Sequence, residues 1–164
     1  MTMPEPQKKT MRAYNSSIKF LASRTRSIKE VRDNLYKKKF NNDIIDKTIL
    51  VLEEENLIDD IAFASEFVST REKVRPKSKF ALRYELRKKG ISDSIIDMAI
   101  SKIDENKSAL AAVETKVAAW KELDKKVMKN KMMNFLKNRG FNWEIFSTTY
   151  EIICNDLENQ EGNK

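Results

Sequence analysis

The chain has 164 residues, and its 32 Lys and Arg outnumber its 25 Asp and Glu to give a formal net charge of +7. Its three glycines and three prolines are too few for the many turns of a β-sandwich or a β-barrel. Because the chain has no histidine and a single cysteine, Cys154, the sequence excludes histidine-based catalysis, histidine-ligated metals, an intrachain disulfide and a cysteine-based zinc site. The positive charge predicts an anionic partner, with nucleic acid as the first candidate.

Apolar residues recur every three or four positions along most of the chain, which is the spacing of amphipathic helices. Residues 1–10 lack this pattern and contain Pro4 and Pro6, so we expect a disordered tail there. Ser, Asp and Asn residues precede the apolar segments as N-caps, and Gly90 and Gly140 follow basic helices as C-terminal stops. The pattern predicts nine helices, near residues 12–24, 27–39, 42–55, 60–73, 76–89, 93–104, 107–122, 126–139 and 143–156.

The sequence repeats itself with a period of about 50 residues. Ser27 aligns with Ser78, and Gly90 aligns with Gly140, each with matching apolar residues around it. These matches predict three repeats of three helices, residues 11–58, 59–105 and 106–157, followed by a second disordered tail at 158–164. One such repeat buries little apolar surface by itself, so neighbouring repeats are expected to share a core. The predicted fold is therefore all-α, an elongated and curved tandem array.

Charge follows the repeat, because the middle helix of each repeat is basic and the last helix is acidic. If the repeats stack in parallel, the basic helices form a ribbon that suits phosphate groups or an acidic protein surface. A solvated helix face is the alternative interpretation of any one charge run. The candidate residues for binding a partner or nucleic acid are Arg75, Lys77, Lys79, Arg83, Arg87, Lys88, Lys129, Lys131, Lys137 and Arg139.

Two aromatic residues, Phe80 and Tyr84, lie beside Lys79, Arg83 and Arg87 on the same predicted helix. Aromatic rings next to arginines can stack on nucleic-acid bases. Aromatic residues at helical spacing more often pack in a core, and we expect Phe80 and Tyr84 to do so.

Two carboxylate clusters, Glu53–Glu55 and Asp59–Asp60, are the candidates for metal-dependent chemistry. A nuclease needs carboxylates that converge on Mg²⁺. Asp59 and Asp60 instead stand where a helix N-cap is expected, and the three glutamates point around the end of a helix. No glycine-rich phosphate loop is present. We therefore expect no catalytic residue, no metal and no cofactor, and we expect Cys154 to be a buried space-filling residue.

The longest apolar run, Ile49–Leu52, is far too short to cross a bilayer, and the N-terminal residues show no targeting signal. We expect a soluble, cytoplasmic protein that does not bind membranes.

Three stretches between about residues 14 and 150 resemble the RecX family of recombinase modulators. The first has Ser27, Glu30, Leu35 and Phe40 at the family's spacing, with Val31 where leucine is usual. The second and most specific runs from Asn56-Leu57-Ile58-Asp59-Asp60 through Phe63-Ala64 and Arg75-Pro76 to Leu86 and Lys89-Gly90-Ile91. The third is Phe135-Leu136-Lys137-Asn138-Arg139-Gly140-Phe141. The chain departs from the family pattern at Lys39, where later junctions have glycine, and at Lys88, where glutamine is usual.

The resemblance implies an all-helical protein of three three-helix repeats that binds RecA nucleoprotein filaments along their helical groove. It also implies that the protein restrains RecA strand exchange, ATPase and coprotease activity, and thereby homologous recombination and the SOS response. Some affinity for single- or double-stranded DNA follows from the same resemblance.

Our leading hypothesis is a non-enzymatic modulator, expected to be a monomer, that lies in the RecA filament groove. Its alternative is a general DNA-binding protein that uses the repeated basic helices. A metal-dependent nuclease is a third class, and a DNA-cleavage control would distinguish it from the other two.

Overall fold

The computed structural model describes residues 5–161, which form helices joined by short turns with no strand in that range. The helices are α1 (Glu5–Leu21), α2 (Ile28–Lys37), α3 (Asn42–Glu54), α4 (Asp60–Val74), α5 (Lys79–Lys88), α6 (Asp93–Ile100), α7 (Glu105–Trp120), α8 (Lys125–Lys137) and α9 (Trp143–Glu161). The all-α prediction with about nine helices is confirmed. None of the helices in the described range is long and apolar enough to cross a membrane.

The backbone packs into two compact units. The first holds the residues up to Glu66 together with Leu86–Ala99, and the second holds Phe67–Glu85 together with the residues from Ile100 onward. Residues of α4 and α5 therefore belong to both units. The division into three repeats at 11–58, 59–105 and 106–157 stays a prediction.

Each unit has its own apolar core. In the first unit, α1, α2 and α3 bury Ala13, Val31, Leu35, Ile45 and Leu52 among other residues. In the second unit, α7, α8 and α9 bury a corresponding set that includes Val113, Met132, Leu136, Phe146 and Ile153. Apart from Ala13, these side chains are ones that recur at three- and four-residue spacing, so the apolar stripes of α2, α3, α7, α8 and α9 are the core-facing sides of those helices.

In the first unit, the turn that contains Gly90 packs against the start of the basic helix α2. The Ser27 hydroxyl donates a hydrogen bond to the Lys89 carbonyl at 2.7 Å, and Ser27 also caps α2. Gly90, at φ +80°, lies so close to α2 that a Cβ there would be 2.6 Å from the Lys29 Cβ. We call this packing the Ser27–Gly90 contact.

Charge supports the Ser27–Gly90 contact through Glu30, whose carboxylate accepts from the Lys89 ammonium at 2.7 Å and from the Arg24 guanidinium at 2.8 Å. Its carboxylate also accepts from the Ser27 N–H, which completes a capping box. Partial burial opposes ionisation, but these hydrogen bonds outweigh it and lower the pKa of Glu30 to about 2. Glu30 is therefore ionised throughout the physiological range.

The same packing recurs in the second unit between the start of α5 and the turn after α8. The Ser78 N–H donates to the Arg139 carbonyl at 3.0 Å, and the Ser78 hydroxyl accepts from the Ala81 N–H. Gly140 has φ +85°, and a Cβ there would be 2.5 Å from the Ser78 Oγ and 2.8 Å from the Ala81 Cβ. This Ser78–Gly140 contact explains why the period of about 50 residues preserves both a serine and a glycine.

Lys39 stands at the position of the first repeat that corresponds to Gly90. It adopts φ +66° without being glycine, and its side chain is exposed. A left-handed turn needs glycine for clearance only where another segment packs against it, which is the case at Gly90 and Gly140.

Both expected tails are shorter than predicted. α1 begins at Glu5, inside the expected 1–10 tail, and residues 1–4 lie outside the described residues. α9 continues to Glu161, inside the expected 158–164 tail, and residues 162–164 lie outside the described residues. Helices extend cheaply once a packed segment has nucleated them, and Pro6 is tolerated because it falls in the first turn of α1.

Among the predicted helix boundaries that differ from the structure are the starts of α5 and α7 and the end of α6. α5 begins at Lys79 rather than at 76, since Ser78 occupies the capping position. α7 begins at Glu105 because Asp104, not Asn106, is its N-cap and accepts from the N–H groups of Asn106 and Lys107. α6 ends at Ile100 instead of 104, and a turn follows in which the Ile103 N–H donates to the Ile100 carbonyl at 3.2 Å.

Candidate partner-binding surface

The helix α5 carries the centre of the predicted basic ribbon. Leu82 and Leu86 are fully buried, whereas Phe80 and Tyr84 are 76% and 57% exposed. The expectation that Phe80 and Tyr84 pack in the core is therefore wrong. Their positions follow from helical geometry, because residues two apart point about 200° away from each other around the axis.

Cations border these two rings. Lys79 and Arg83 are partly buried, and Lys88 is exposed at the end of α5. Arg87 is also exposed, but its Nε and Nη2 bond both oxygens of Asp93, at 2.7 and 3.1 Å. The hydrogen bond and the negative charge of Asp93 raise the pKa of Arg87. The two guanidinium nitrogens that could bind a phosphate together are thus already bonded to the Asp93 carboxylate.

Lys77 has a structural role in the turn between α4 and α5. Its ammonium and the guanidinium of Arg71 both bond the carboxylate of Glu85. Burial opposes ionisation of Glu85, but the hydrogen bonds from Lys77 and Arg71 outweigh it and lower the pKa of Glu85. Because the Lys77 side chain is only 16% exposed, little of it faces an external partner.

Arg139 also packs inside the second unit. Its guanidinium lies 4.3 Å from the centre of the Phe135 ring and donates to the Pro76 carbonyl at 3.3 Å. Burial, followed by the positive charge of Arg75, lowers the pKa of Arg139. Arg75 itself is exposed just beyond α4.

On α8, the three candidate lysines Lys129, Lys131 and Lys137 are all exposed. The Lys129 ammonium lies 5.3 Å from the centre of the Tyr150 ring. The buried side of α8 is formed by Met128, Met132 and Leu136, and the three lysines lie around the rest of the helix, with Lys129 and Lys131 on opposite flanks of the buried side.

The ten candidate residues therefore separate into two groups. Five have exposed side chains: Arg75, Lys88, Lys129, Lys131 and Lys137. The other five are partly buried or bonded to neighbours: Lys77, Lys79, Arg83, Arg87 and Arg139. Sequence reasoning could not separate the groups, because Glu85 and Asp93 lie six to eight residues away from the cations they bond.

The acidic residues and the cysteine that the sequence singled out make contacts that stabilise the fold. The Asp59 carboxylate accepts from the N–H groups of Ile61 and Ala62 and so caps α4, as predicted. The Asp60 carboxylate accepts from the Ile28 N–H at 2.9 Å, and burial raises the pKa of Asp60. Cys154 is partly rather than fully buried, and it packs against the core of the second unit. Among residues 5–161, no group of three or more Cys, Asp or Glu side chains is placed to hold a metal ion.

An open groove of about 780 Å³ lies between α1 and α3 in the first unit, and the sequence did not predict it. Its lining includes the apolar or aromatic side chains of Met11, Tyr14, Leu50 and Val51 and the charged side chains of Lys47 and Glu55. Tyr14 donates a hydrogen bond to Glu55 at 2.6 Å across it, which raises the pKa of Tyr14. Met11 and Leu50 stay about half exposed.

Comparison with known proteins identifies the family. The model of the first three-helix domain of RecX matches residues 13–50, and that of the second matches residues 59–100. The regulatory protein RecX of Chlorobium phaeobacteroides (strain BS1) is 40% identical over 142 residues, which cover 87% of this chain and 93% of that protein. That of Prosthecochloris aestuarii is 35% identical over 147 residues, covering 89% and 97%.

The fold agrees with a solved structure. The crystal structure of RecX from Lactobacillus salivarius superimposes with a TM-score of 0.75 at 24% identity, covering 93% of this chain and 98% of that one. The two domain models, the identity over nearly the full length of the relatives and the shared arrangement of helices lead to one conclusion: the chain belongs to the RecX family of regulatory proteins.

Proposed function

We propose that this chain binds RecA nucleoprotein filaments in their helical groove and restrains RecA strand exchange, ATPase and coprotease activity. In this way it limits homologous recombination and the SOS response. The observation that carries the proposal is the near full-length similarity of this chain to proteins named regulatory protein RecX, such as that of Chlorobium phaeobacteroides at 40% identity. The proposed regulator acts by binding, without catalysis and without a cofactor.

The exposed cations are the proposed contact groups. Lys129, Lys131 and Lys137 on α8, with Arg75 and Lys88, present positive charge to solvent. Such groups attract DNA phosphates and acidic protein surfaces alike. Lys77, Arg87 and Arg139 are not proposed as contact groups, because each is bonded to a neighbouring carboxylate or carbonyl group.

A general DNA-binding protein is the second candidate, favoured by the exposed rings of Phe80 and Tyr84 among cations. Order of addition separates the two functions. RecA filaments are first assembled on single-stranded DNA, excess free DNA is added as a competitor, and the chain is then titrated while ATP hydrolysis is followed. A filament regulator still lowers the rate of ATP hydrolysis under these conditions. A general DNA-binding protein instead binds the excess free DNA and leaves the rate unchanged.

Charge reversal tests the proposed contact groups. The variant with Lys129, Lys131 and Lys137 all changed to Glu should fold normally, since changes at exposed positions usually cost within about 0.5 kcal/mol each. It should lose inhibition of RecA. The matched control changes Lys102, Lys107 and Lys116 to Glu, three exposed lysines outside the candidate set, with an equal change in net charge. Equal inhibition by both variants would show that the α8 lysines are not the contact groups.

A further inference from the structure

A row of aromatic rings on α9 ends in a tryptophan that faces solvent. Trp143 is the first residue of α9 and is 63% exposed. The centre of its ring lies 5.0 Å from that of Phe146, which lies 5.9 Å from that of Tyr150. Because Phe146 is buried, it supports the Trp143 indole from the core side and leaves most of that residue in contact with solvent.

Two exposed lysines of α8 lie along this row of rings. The Lys129 ammonium is 5.3 Å from the centre of the Tyr150 ring, so the side of α8 that carries Lys129 faces the row. Lys137 lies in the last turn of α8, and only residues 138–142 separate it from Trp143, so it lies at the tryptophan end of the row. We call Trp143, Lys129 and Lys137 the α8–α9 surface.

Charge is distributed unevenly across the α8–α9 surface. The helix α8 contains several lysines and no acidic residue. In contrast, α9 carries Glu144 next to Trp143 in the sequence and Glu151 next to Tyr150. An anion bound here is therefore attracted to the α8 side of the rings and repelled from the α9 side.

The other aromatic residues near α8 do not offer a comparable ring. Phe135 is covered by the Arg139 guanidinium at 4.3 Å and by the edge of Trp120 at 5.4 Å. The two tryptophans of the chain thus have different surroundings, because Trp120 packs against Phe135 and is half-buried, whereas Trp143 faces solvent.

We propose that Trp143 stacks on an unpaired base of single-stranded DNA while Lys129 and Lys137 contact phosphates on either side of it. An indole stacks on any base, since every base has a π-face. An acidic protein surface would need only the lysines, so the exposed tryptophan beside them favours nucleic acid. Bases in a duplex already stack on each other, so the α8–α9 surface prefers single strands.

The inference deepens the proposed function and rests on it for its setting, because a RecA nucleoprotein filament contains single-stranded DNA. The contact itself is measured without RecA. The probe is an oligothymidylate of about 20 nucleotides, longer than the few nucleotides that one such surface covers.

Affinity tests the role of the ring. By fluorescence anisotropy with a fluorescein-labelled probe, the Trp143→Leu variant should bind about fivefold or more weakly than the parent. Its affinity for a duplex of equal length should change less than about twofold, and the dependence of affinity on salt should stay the same because the lysines remain. Tyr36→Leu, which removes a 67% exposed ring of α2, should bind like the parent.

Tryptophan emission tests the stacking without any substitution. When the unlabelled probe binds to the parent, the emission should fall, because stacking on a base quenches an indole. The Trp143→Leu variant retains only Trp120, which packs against Phe135, and its emission should change little. The measurement on the parent remains informative even where the leucine variant is unstable.

Salt dependence tests the two lysines. The Lys129→Gln/Lys137→Gln variant loses two proposed phosphate contacts, so the slope of log affinity against log salt should become shallower by about 1.4. The matched control, Lys107→Gln/Lys116→Gln, changes two exposed lysines of α7 with the same change in net charge, and its slope should equal that of the parent.

The inference is overturned if the parent does not bind the probe, if its emission is not quenched on binding, or if Trp143→Leu binds like the parent. An equal loss of duplex affinity also overturns it. Loss of RecA inhibition by Trp143→Leu with unchanged probe affinity does so too, and would mean that the α8–α9 surface docks on protein. The proposed function fails separately, if the parent chain leaves preformed RecA filaments fully active.

Discussion

Replacing Gly90 by alanine should destabilise the first unit strongly. Gly90 adopts φ +80°, and an added Cβ would lie 2.6 Å from both the Cβ and the Cδ of Lys29. The Lys29 Cβ is fixed to the α2 backbone and cannot rotate away. The change would therefore force apart the Ser27–Gly90 contact, in which the Ser27 hydroxyl bonds the Lys89 carbonyl.

The expected magnitude combines three contributions. A non-glycine residue in the left-handed region costs about 1–2 kcal/mol, and overpacking against a fixed atom costs about 1–3 kcal/mol. The lower entropy of alanine in the unfolded chain returns about 0.4–1 kcal/mol. Together these contributions should lower the free energy of unfolding by about 1–5 kcal/mol.

The matched position is Lys39, which has φ +66° and an exposed side chain. Lys39→Ala should change stability by less than about 0.5 kcal/mol, and Lys39→Gly should stabilise by up to about 1 kcal/mol as the strain is relieved. Urea unfolding followed by far-ultraviolet circular dichroism measures all three variants. A Gly90→Ala variant within about 0.5 kcal/mol of the parent would refute the packing described for this turn.

The other predictions concern single side chains. The pKa of Glu30 is lowered from 4.5 to about 2 in the folded chain, so its ionised form stabilises the fold above about pH 4.5, and this stabilisation disappears as the pH falls towards 2. Urea unfolding of Glu30→Gln should therefore depend less on pH between about 2 and 4.5 than unfolding of the parent. The raised pKa of Asp60 means that its charge is unfavourable near neutral pH, so Asp60→Asn, which still accepts from the Ile28 N–H, should unfold at an equal or higher urea concentration. Cys154→Ala should keep RecA inhibition and should lower the free energy of unfolding by at most about 1 kcal/mol. Burial and the hydrogen bond to Cys154 raise the pKa of Tyr150 to about 12, so ultraviolet titration of this variant should show a lower pKa for Tyr150. Loss of inhibition by a folded Cys154→Ala variant would contradict the structural role given to this thiol.

The helices could be predicted from the sequence because each helix buries one side against a core, so its apolar residues recur at helical spacing. Leu35, Ile45 and Leu52 recur at helical spacing, and all are buried in the first core. The repeat was also readable, since Ser78 and Gly140 must match Ser27 and Gly90 for the same contact to form. Local caps were less predictable: Asp104 and Asn106 are both good capping residues, and only backbone geometry decides between them.

The candidate surface was harder to predict, because it depends on partners distant in the chain. The charge run around Lys77 suggested a binding residue, but Glu85 lies two turns away on α5 and bonds it. Arg139 is held by the Phe135 ring and by the Pro76 carbonyl, 63 residues before it. The exposure of Phe80 and Tyr84 was accessible from the sequence, since they lie opposite Leu82 and Leu86 on the helix, yet the general tendency of aromatic residues to pack led to the wrong expectation.

The most direct test of the proposed function is a helical reconstruction, by electron cryo-microscopy, of RecA filaments on single-stranded DNA with the chain added. We expect additional helical density in the filament groove, into which the two units fit, with α8 facing RecA or DNA phosphates. The density should be lost with the variant that changes Lys129, Lys131 and Lys137 to Glu and retained with the Lys102, Lys107 and Lys116 control. Bare filaments, at chain concentrations that lower ATP hydrolysis, would contradict binding in the groove.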